Sequence, residues 1–483
     1  MKSYIKYNVI IFSILMFLSC TNIEELQNDP NRTTEATPDL ILTKLCINAF
    51  SNVSLDAALA SRQMANVDSN ADSQYYTWNR ASFNNYDNLR EVVLMRKEAE
   101  RTGDTHYLFL ADFFEAYFIV NTTSFFGDIP YAEALKLTEG ISQPKYDSQK
   151  EIFLKVLNKL KEASTNLPSS GISFKGDIIY NGNPLKWKKL INSFYLKVLL
   201  QLSKHAGDAD LNIKGRFSEI ISNPTLYPLI ENNDESGQLK FLDIVENRFP
   251  LFNSNSLQTA YTMEKTFIDK MKSLEDPRLF EIAQKMSSAA SLSTTDFNAY
   301  NGVLGSGLLS DNQTQNTNGN SSRINENYFS NPVNKPSFVI SYAELNFILS
   351  EAIVRGWVSG DAQEYYQKGI ESSFTFYEVS DKAATYLSNS NVALVAGREI
   401  QQILDQKHIA TFLNSGWVSF FDFLRTGYPV LDVSGAGTAG VSVPRRWMYP
   451  NEESIDNPIN LSEAIKRQFS SGDKISEGTW LFE

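Results

Sequence analysis

Residues 341–379 read SYAELNFILSEAIVRGWVSGDAQEYYQKGIESSFTFYEV, and this stretch gives the strongest indication of the fold. Its apolar residues recur at the spacing of one helical face, first in one run and then in a second. Gly356 and Gly360 lie between the runs, where a turn is expected. The pattern predicts a helix hairpin with two apolar stripes, formed by Tyr342, Leu345, Ile348, Leu349 and Ala352, and by Ala362, Tyr366, Ile370 and Phe374.

Helical patterns also dominate the rest of the chain. Apolar residues repeat on one face in residues 152–160 and 187–202, and residues 107–120 are apolar on several faces, as in a buried helix. The hairpin itself resembles a tetratricopeptide unit, although no 34-residue period recurs and any further repeats are degenerate. The sequence therefore predicts a mainly α-helical body with a few short strands. Residues 291–336, rich in Asn, Ser, Gly and Thr, predict a long irregular loop.

The composition is that of a protein with a substantial core. Of the 483 residues, 42% are hydrophobic and 12% aromatic, which argues against disorder. The net charge of −12 lacks the basic footprint of a nucleic-acid-binding protein. Only Cys46 follows Cys20, so no internal disulfide framework is expected. The helical pattern around Cys46 predicts a small core residue rather than a nucleophile.

The first twenty residues predict an exported, lipid-anchored protein. Lys2 and Lys6 precede an apolar run at residues 9–18, which is too short to span a bilayer and fits a secretory signal. Cys20 lies at the expected cleavage point, so this signal is predicted to belong to a bacterial lipoprotein. The usual lipoprotein signal has an aliphatic residue three positions before the cysteine, where this chain has Phe17. An ordinary signal peptide with a chance cysteine is the alternative.

These features divide the chain into three parts. Residues 1–19 are predicted to be the signal peptide, and residues 20–38 a lipidated N-terminal arm attached through acylated Cys20. Residues 39–483 are predicted to form a single helical domain, because no linker of the kind that separates independent domains is visible.

Several motifs, in this order, resemble the SusD/RagB family of nutrient-binding outer-membrane lipoproteins. The family's opening Leu-Asn-x-Asp-Pro-Asn is similar to residues 26–31, its Gly-Asp-Ile-Pro-Tyr-x-Glu-Ala turn to residues 127–134, and its Trp-x-Lys-x-x-Asn-Ser helix to residues 187–193. The helix hairpin with Glu344, Glu351 and Ala352, the closing segments at residues 421–429 and 444–450, and Asn457 and Asn460 also resemble the family's.

The resemblance implies a SusD-like fold, with tetratricopeptide-like helix pairs as the scaffold and long loops as the ligand face. It implies a protein on the outer membrane, facing the cell exterior, that acts as a hinged lid on a SusC-like TonB-dependent transporter. Such proteins capture oligosaccharides or oligopeptides and catalyse no reaction, so no cofactor or enzymatic activity is expected.

Signals for other chemistry are weak. Residues 435–440 read GAGTAG and satisfy a dinucleotide-binding string, but Val441-Ser442-Val443-Pro444 follows where a helix would have to begin. A flexible glycine hairpin between two short strands is predicted there instead. The three histidines are far apart in sequence, so no metal site is expected. Carboxylates are plentiful, so a carboxylate pair of the glycosidase type stays an open alternative, although acidic pairs such as Glu275-Asp276 and Glu452-Glu453 are more simply solvated charge.

Aromatic residues next to amides and charges in predicted loops are the candidate ligand contacts. A flat ring fits the apolar face of a sugar, and amide and charged groups fit its hydroxyls; the same set fits a peptide backbone. The oligosaccharide and oligopeptide alternatives therefore stay open. The predicted ligand-binding residues are Tyr75, Tyr76, Trp78, Asn79 and Arg80, then Phe297 and Tyr300, and Arg248.

The predicted function is that of a cell-surface binding lipoprotein that delivers a nutrient to a partner transporter. Two alternatives come from other functional classes. One is a lipid-anchored glycoside hydrolase or lyase on a helical scaffold, which turnover of a glycan would reveal. The other is a tetratricopeptide-type adaptor that binds proteins and no small ligand.

Overall fold

A computed structural model describes residues 36–483. The predicted signal peptide, the lipid-attachment residue Cys20, the motif at residues 26–31 and most of the predicted arm lie outside these residues. Among the described helices, none combines the length and apolar character needed to cross a bilayer.

Helices make up most of the ordered elements. The α-helices are α1 (Pro38–Phe50), α2 (Leu55–Ala60), α3 (Asp72–Tyr75), α4 (Asn85–Thr102), α5 (Tyr107–Phe126), α6 (Gln149–Asn166), α7 (Pro184–Gln201), α8 (Ile213–Ser222), α9 (Asn255–Thr259), α10 (Lys265–Ser273), α11 (Leu279–Ile282), α12 (Leu309–Thr317), α13 (Asn327–Ser330), α14 (Tyr342–Val354), α15 (Ala362–Phe376), α16 (Ala383–Leu387), α17 (Glu399–Ala410), α18 (Val418–Thr426), α19 (Asn451–Asp456) and α20 (Pro458–Gln468). Short 3-10 helices include Phe297–Ala299, Ala436–Thr438 and Trp480–Phe482.

The strands are short and form three two-stranded antiparallel pairs in the described part of the chain. They are β1 (Met64–Asn66) with β5 (Tyr261–Met263), β2 (Ile129–Pro130) with β3 (Tyr146–Asp147), and β4 (Gly237–Leu239) with β6 (Ser337–Ile340). Each pair joins segments between helices. The predicted mainly α-helical fold with a few short strands is confirmed.

The predicted helix hairpin is confirmed as α14 and α15. Ser341 caps the first helix, accepting a hydrogen bond from the Glu344 amide at 3.0 Å, and Asp361 caps the second in the same way. The two helices approach closely at Gly369, where a Cβ atom would lie 2.7 Å from the buried ring of Phe347. The absence of a side chain at Gly369 therefore allows the ring to pack against the α15 backbone.

Two clusters of buried apolar side chains form the core. One is built mainly from α1, α4, α5, α6 and α7, with the C-terminal segments, and the other mainly from α10, α15 and α17. Helix α14 contributes to both, through Leu345 and Ile348 to the first and through Ala343 and Phe347 to the second. Cys46 is fully buried in the first cluster, as predicted, and burial raises the pKa of its thiol.

The other helical predictions are confirmed as well. Helix α6 contains the stripe at residues 152–160 and begins with a capping box formed by Ser148 and Glu151. Helix α7 contains the stripe at residues 187–202 and is capped by Asn183, whose side chain accepts from the Lys186 amide at 3.1 Å. Helix α5 is buried over most of its surface.

The motifs that resemble the family have structural roles where they are described. Gly127 ends α5 with a φ of +90°, a conformation that favours glycine. The next residue, Asp128, accepts hydrogen bonds from the Gln149 amide at 2.8 Å and from Arg467 Nε at 2.8 Å. Trp187 is fully buried, and its indole N–H donates to Asp177 at 2.8 Å. These residues tie helix ends and loops to the core.

Two predictions about loops are wrong in detail. The polar stretch at residues 291–336 is not irregular throughout but contains helix α12, where the Gln315 side chain donates to the carbonyls of Gly302 and Asn320 at 2.9 and 3.0 Å. Side-chain amides that satisfy backbone carbonyls hold this segment in place. Residues 435–440 form a 3-10 turn rather than a strand hairpin, and Gly437 packs so closely that a Cβ would lie 2.2 Å from the Gly307 oxygen.

Candidate functional site

The predicted aromatic loop at residues 75–80 is mostly buried. Tyr75, Tyr76 and Trp78 have only 6%, 1% and 6% of their surface exposed. The Tyr76 hydroxyl donates to the Ala60 carbonyl at 2.8 Å, and the Tyr75 hydroxyl donates to the Gly307 carbonyl at 3.2 Å. The three rings are thus held by packing, and the hydroxyls by backbone partners.

The two polar residues that follow are exposed. Arg80 donates to the Tyr449 carbonyl at 2.5 Å and forms an ion pair of 2.7 Å with Asp473. The Asn79 amide donates to the Thr77 carbonyl at 3.3 Å. Of the predicted ligand-binding residues in this loop, Asn79 and Arg80 are therefore the accessible ones.

The other predicted contacts lie in two further places. Phe297 is half-buried and packs on the ring of Phe280, with centroids 4.8 Å apart, whereas Tyr300 is 2% exposed and donates to the Thr294 carbonyl at 2.7 Å. Arg248 is half-buried, pairs with Asp243 at 2.8 Å and lies over the Phe252 ring at 5.2 Å. Within residues 36–483, no hydrogen bond, ion pair or ring contact joins these residues to the loop at 75–80.

A cavity of about 260 Å³ lies close to the aromatic loop and is called the cleft below. The half-buried rings of Phe125, Trp417 and Phe421 line it, together with Tyr117 and Phe194. A larger cavity of about 630 Å³ lies among α10, α15 and α17, but the ring that lines it, Tyr366, is 1% exposed. Of these two cavities, the cleft is therefore the one with an accessible aromatic surface.

Helical periodicity places these side chains on one surface. Helix α5 contributes Tyr117, Asn121 and Phe125, one turn apart. Trp417, the residue before α18, and Phe421 and Arg425 within α18 follow the same spacing. Helix α7 adds Lys197 and Gln201 at the same interval. Three helices thus each present a stripe of aromatic and polar side chains to the cleft.

The aromatic wall of the cleft is fixed by rings behind it. Phe125 meets Phe421 with centroids 5.1 Å apart and meets Trp417 edge-on at 5.8 Å. Behind Trp417, the rings of Trp78 and Trp447 stack on each other at 4.7 Å, and each meets Trp417 edge-on. Contacts of this kind contribute about 0.5–1.5 kcal/mol per pair beyond area burial. The buried Trp78 of the predicted loop therefore supports the wall from behind.

Side-chain amides surround the aromatic wall. Asn52 donates to the Phe338 carbonyl at 2.9 Å and exchanges hydrogen bonds with the Tyr117 hydroxyl at 3.2 Å. Gln201 donates to Ser124 at 2.8 Å. The remaining amides of the lining are Asn48, which is exposed, and Asn85 and Asn121, which are half-buried. Each amide has both donors and acceptors, so the rim offers groups that hydroxyls or peptide bonds can bind.

Charged side chains form a connected network on one side of the cleft. Lys197 and Lys407 both pair with Glu344, at 3.0 and 3.3 Å, and Lys407 also pairs with Asp422 at 2.9 Å. Arg425 pairs with Asp422 at 2.9 Å and makes a two-pronged contact with Glu351, which also pairs with Arg355 at 2.7 Å. Lys197, Lys407, Asp422 and Arg425 line the cleft itself.

Burial shifts the protonation equilibria of this network. Burial lowers the pKa of Lys197, and the positive charge of nearby Lys407 lowers it further. The negative charge of Glu344 raises this pKa, but by less than burial lowers it. Burial would also lower the pKa of Lys407, but the carboxylates of Asp422 and Glu344 outweigh it and raise that pKa. Burial would raise the pKa of Asp422, but Lys407 and Arg425 hold it below its usual range. The two lysines that share Glu344 are therefore not equivalent.

The histidines do not join a metal site. His408 is buried, His106 and His205 are half-buried, and each has its own neighbours. In the described part of the chain, no group of three or more His, Cys, Asp or Glu side chains is arranged to hold a metal ion.

The sequence did not predict the cleft. The helical pattern around Trp417 favours a core position, yet the ring is half-buried and lines the cavity. The available signal was a polar residue next to an apolar run, because Asn121 directly follows the apolar run at residues 116–120 of α5 and Lys197 lies beside the stripe of α7. Such interruptions indicate a surface that is neither core nor plain solvent.

Comparison with known proteins gives one family and a set of similar structures. Residues 30–450 match the model of the SusD-like family, described as starch-binding and associating with the outer membrane. A SusD homologue from Bacteroides fragilis is 40% identical with a TM-score of 0.86, and the match covers 93% of this chain and 100% of that one. A candidate outer-membrane protein of Bacteroides vulgatus, assigned to nutrient binding, is 36% identical with a TM-score of 0.87 and the same coverage.

More distant structures show the fold alone. A chitin-binding SusD homologue from Flavobacterium johnsoniae is 19% identical with a TM-score of 0.74, and the match covers 92% of this chain and 98% of that one. Comparison with curated proteins finds no match.

Proposed function

Since the chain belongs to the SusD-like family of outer-membrane nutrient-binding proteins, we propose that it captures an oligosaccharide, or an oligopeptide, at the cell surface and delivers it to a partner TonB-dependent transporter. Acylation of Cys20 would hold it on the outer membrane, with residues 20–38 as the arm and residues 39–483 as the binding domain. The protein would bind and release its ligand without altering it.

The cleft is the observation that carries the binding proposal. Its half-buried rings, Phe125, Trp417 and Phe421, offer an apolar surface of the size of a sugar ring, and amides on its rim offer donors and acceptors. Binding sites for small molecules typically combine an apolar lining with a few placed polar groups. The rings behind the wall keep Trp417 in place before a ligand arrives, which lowers the entropic cost of binding.

The loops singled out in the sequence are proposed as a second contact region. Asn79 and Arg80 are exposed and can reach a ligand, as can the half-buried Phe297 and Arg248. Tyr75, Tyr76, Trp78 and Tyr300 are buried, so we propose that they act by positioning these neighbours and the aromatic wall.

Ligand binding to purified protein tests the cleft. An isothermal titration screen over neutral and acidic oligosaccharides and short peptides first identifies a ligand of the wild type. Phe421→Ala is expected to lower the affinity for that ligand by about threefold to tenfold, because one aromatic contact is lost. Phe109→Ala is the matched control, because Phe109 is also half-buried and lies on α5, but does not line the cleft. Equal affinities for wild type and Phe421→Ala, with both folded, would contradict the assignment of the cleft.

The exposed loop residues are tested separately. Asn79→Ala combined with Arg80→Ala is expected to lower affinity if the ligand extends beyond the cleft. Unchanged affinity in this variant, with Phe421→Ala impaired, would limit the site to the cleft. Unchanged affinity in Phe421→Ala, with the loop variant impaired, would move the site to the loop.

Anchoring and delivery need experiments in cells. Growth with radioactive palmitate is expected to label the protein, and Cys20→Ser is expected to abolish the label and release the protein from the outer membrane. Affinity purification from detergent-solubilised outer membranes is expected to recover a TonB-dependent transporter. A labelled protein that brings down no transporter would refute delivery while leaving the anchor intact.

A further inference from the structure

Lys197 is the charged residue of the cleft whose charge is least compensated. Its side chain is 18% exposed, whereas those of Lys407 and Arg425 are 6% and 2% exposed. Arg425 pairs with two carboxylates, Glu351 and Asp422. Lys407 also pairs with two, Asp422 and Glu344. Lys197 has only Glu344, which it shares with Lys407. Lys197, the most exposed of these three cations, therefore pairs with one carboxylate only, and it shares that carboxylate with Lys407.

The whole network also carries an excess of positive charge. It contains four cations, Lys197, Lys407, Arg425 and Arg355, and three carboxylates, Glu344, Glu351 and Asp422. An uncompensated charge in a partly buried site is costly, and the cost is removed when an opposite charge arrives. This local excess is notable because the chain as a whole carries a net charge of −12.

The ammonium of Lys197 also has unused hydrogen-bonding capacity. An ammonium has three donors. One reaches the Val339 carbonyl at 2.8 Å and another reaches Glu344 at about 3 Å. Gln201, one turn later on α7, also lines the cleft, and its side-chain nitrogen is engaged with Ser124 at 2.8 Å. Lys197 can therefore donate one further hydrogen bond to a group inside the cleft.

From this geometry, we infer that the cleft takes a ligand that carries a carboxylate, which Lys197 Nζ binds while the apolar part of the ligand rests on Trp417 and Phe421. The inference rests on the proposed binding function and narrows its substrate class. Two sources supply such a group next to an apolar face: an acidic sugar unit, or the C-terminus of an oligopeptide. A neutral glycan would leave Lys197 with only the carboxylate of Glu344, which it shares with Lys407.

The test compares charged and neutral forms of the same ligands on wild-type protein. Trigalacturonic acid is titrated against its methyl ester, and a tripeptide with an aromatic residue is titrated with a free and with an amidated C-terminus. At least a tenfold preference for the free acid in one of the two pairs supports the inference, and the pair that shows it identifies the source. Equal binding of the acid and neutral forms, or tighter binding of the neutral form, overturns it and leaves the proposed function standing.

Variants then assign the preference to Lys197. Lys197→Met keeps an unbranched apolar stem but removes the ammonium, and it is expected to abolish the preference, while Glu344 stays paired with Lys407. Lys186→Met is the matched control on the same helix, because Lys186 does not line the cleft, and it is expected to keep the preference. A preference that survives in folded Lys197→Met overturns the assignment. Absence of any binding, charged or neutral, by the wild type would overturn this inference and the proposed function together.

Discussion

Acidification is expected to destabilise this protein through one buried histidine, His408 in α17. The ring is 4% exposed, and its Nε2 lies 2.9 Å from the Ser61 carbonyl. A carbonyl only accepts, so Nε2 carries the proton, and Nδ1 has no hydrogen-bond partner within residues 36–483. Burial, with a smaller contribution from Lys270, lowers the pKa of His408 to about 3. The folded protein therefore keeps this ring neutral.

The size of the effect follows from proton linkage. An unfolded chain protonates a histidine near pH 6.5, whereas the folded chain resists protonation down to about pH 3. Between these values the unfolded state binds one more proton, so stability falls as pH falls. The loss is about 1.4 kcal/mol per pH unit, or about 2 to 3 kcal/mol between pH 6 and pH 4. Above about pH 6.5 the contribution is complete and constant.

Urea unfolding at a series of pH values measures this loss. His408→Gln keeps a nitrogen that can donate to the Ser61 carbonyl but cannot be protonated, so its free energy of unfolding should fall less steeply than that of the wild type. Buried carboxylates titrate in the same range in both proteins, and the difference between the two curves removes them. Parallel curves for wild type and His408→Gln would refute the reasoning.

Two further predictions concern packing and buried charge, in addition to the binding tests above. Gly369→Ala should lower the free energy of unfolding by about 1–2 kcal/mol, because overpacking against Phe347 outweighs the gain in helix propensity. Gly207→Ala is the control: there is open space around Gly207, so the free energy of unfolding in urea should not change. Arg425→Met should cost about 3 kcal/mol, because it removes a buried partner of Glu351, and an unchanged midpoint would contradict the network.

The helix hairpin could be predicted from sequence because its signals are local. The two stripes, the capping residues Ser341 and Asp361, and the glycine at position 356 all lie within 39 consecutive residues. Amphipathic helices and their caps depend on neighbours three or four positions away. The same reasoning explains why α6 and α7 were predicted from their apolar stripes, and why Cys46 was predicted in the core.

The cleft could not be predicted because its residues meet only in the folded chain. Asn52 and Arg425 both line it, yet they are separated by most of the sequence. The aromatic loop shows the complementary difficulty: Trp78 has the neighbours expected of a ligand platform, but its ring stacks on Trp447. Composition is the same for a ring that packs and a ring that binds, and only tertiary contacts distinguish them. The contact role of Asn79, Arg80 and Arg248 stays a prediction.

The position of α14 between the two clusters of buried side chains has a consequence for how the molecule comes apart. One side of this helix, at Leu345 and Ile348, belongs to the first cluster, and another, at Phe347, belongs to the second. Unfolding of α14 would expose both clusters of buried side chains to water at once. The two clusters are therefore expected to unfold in a single transition in a denaturation experiment. Fragments cut on either side of α14 should fail to fold when expressed alone.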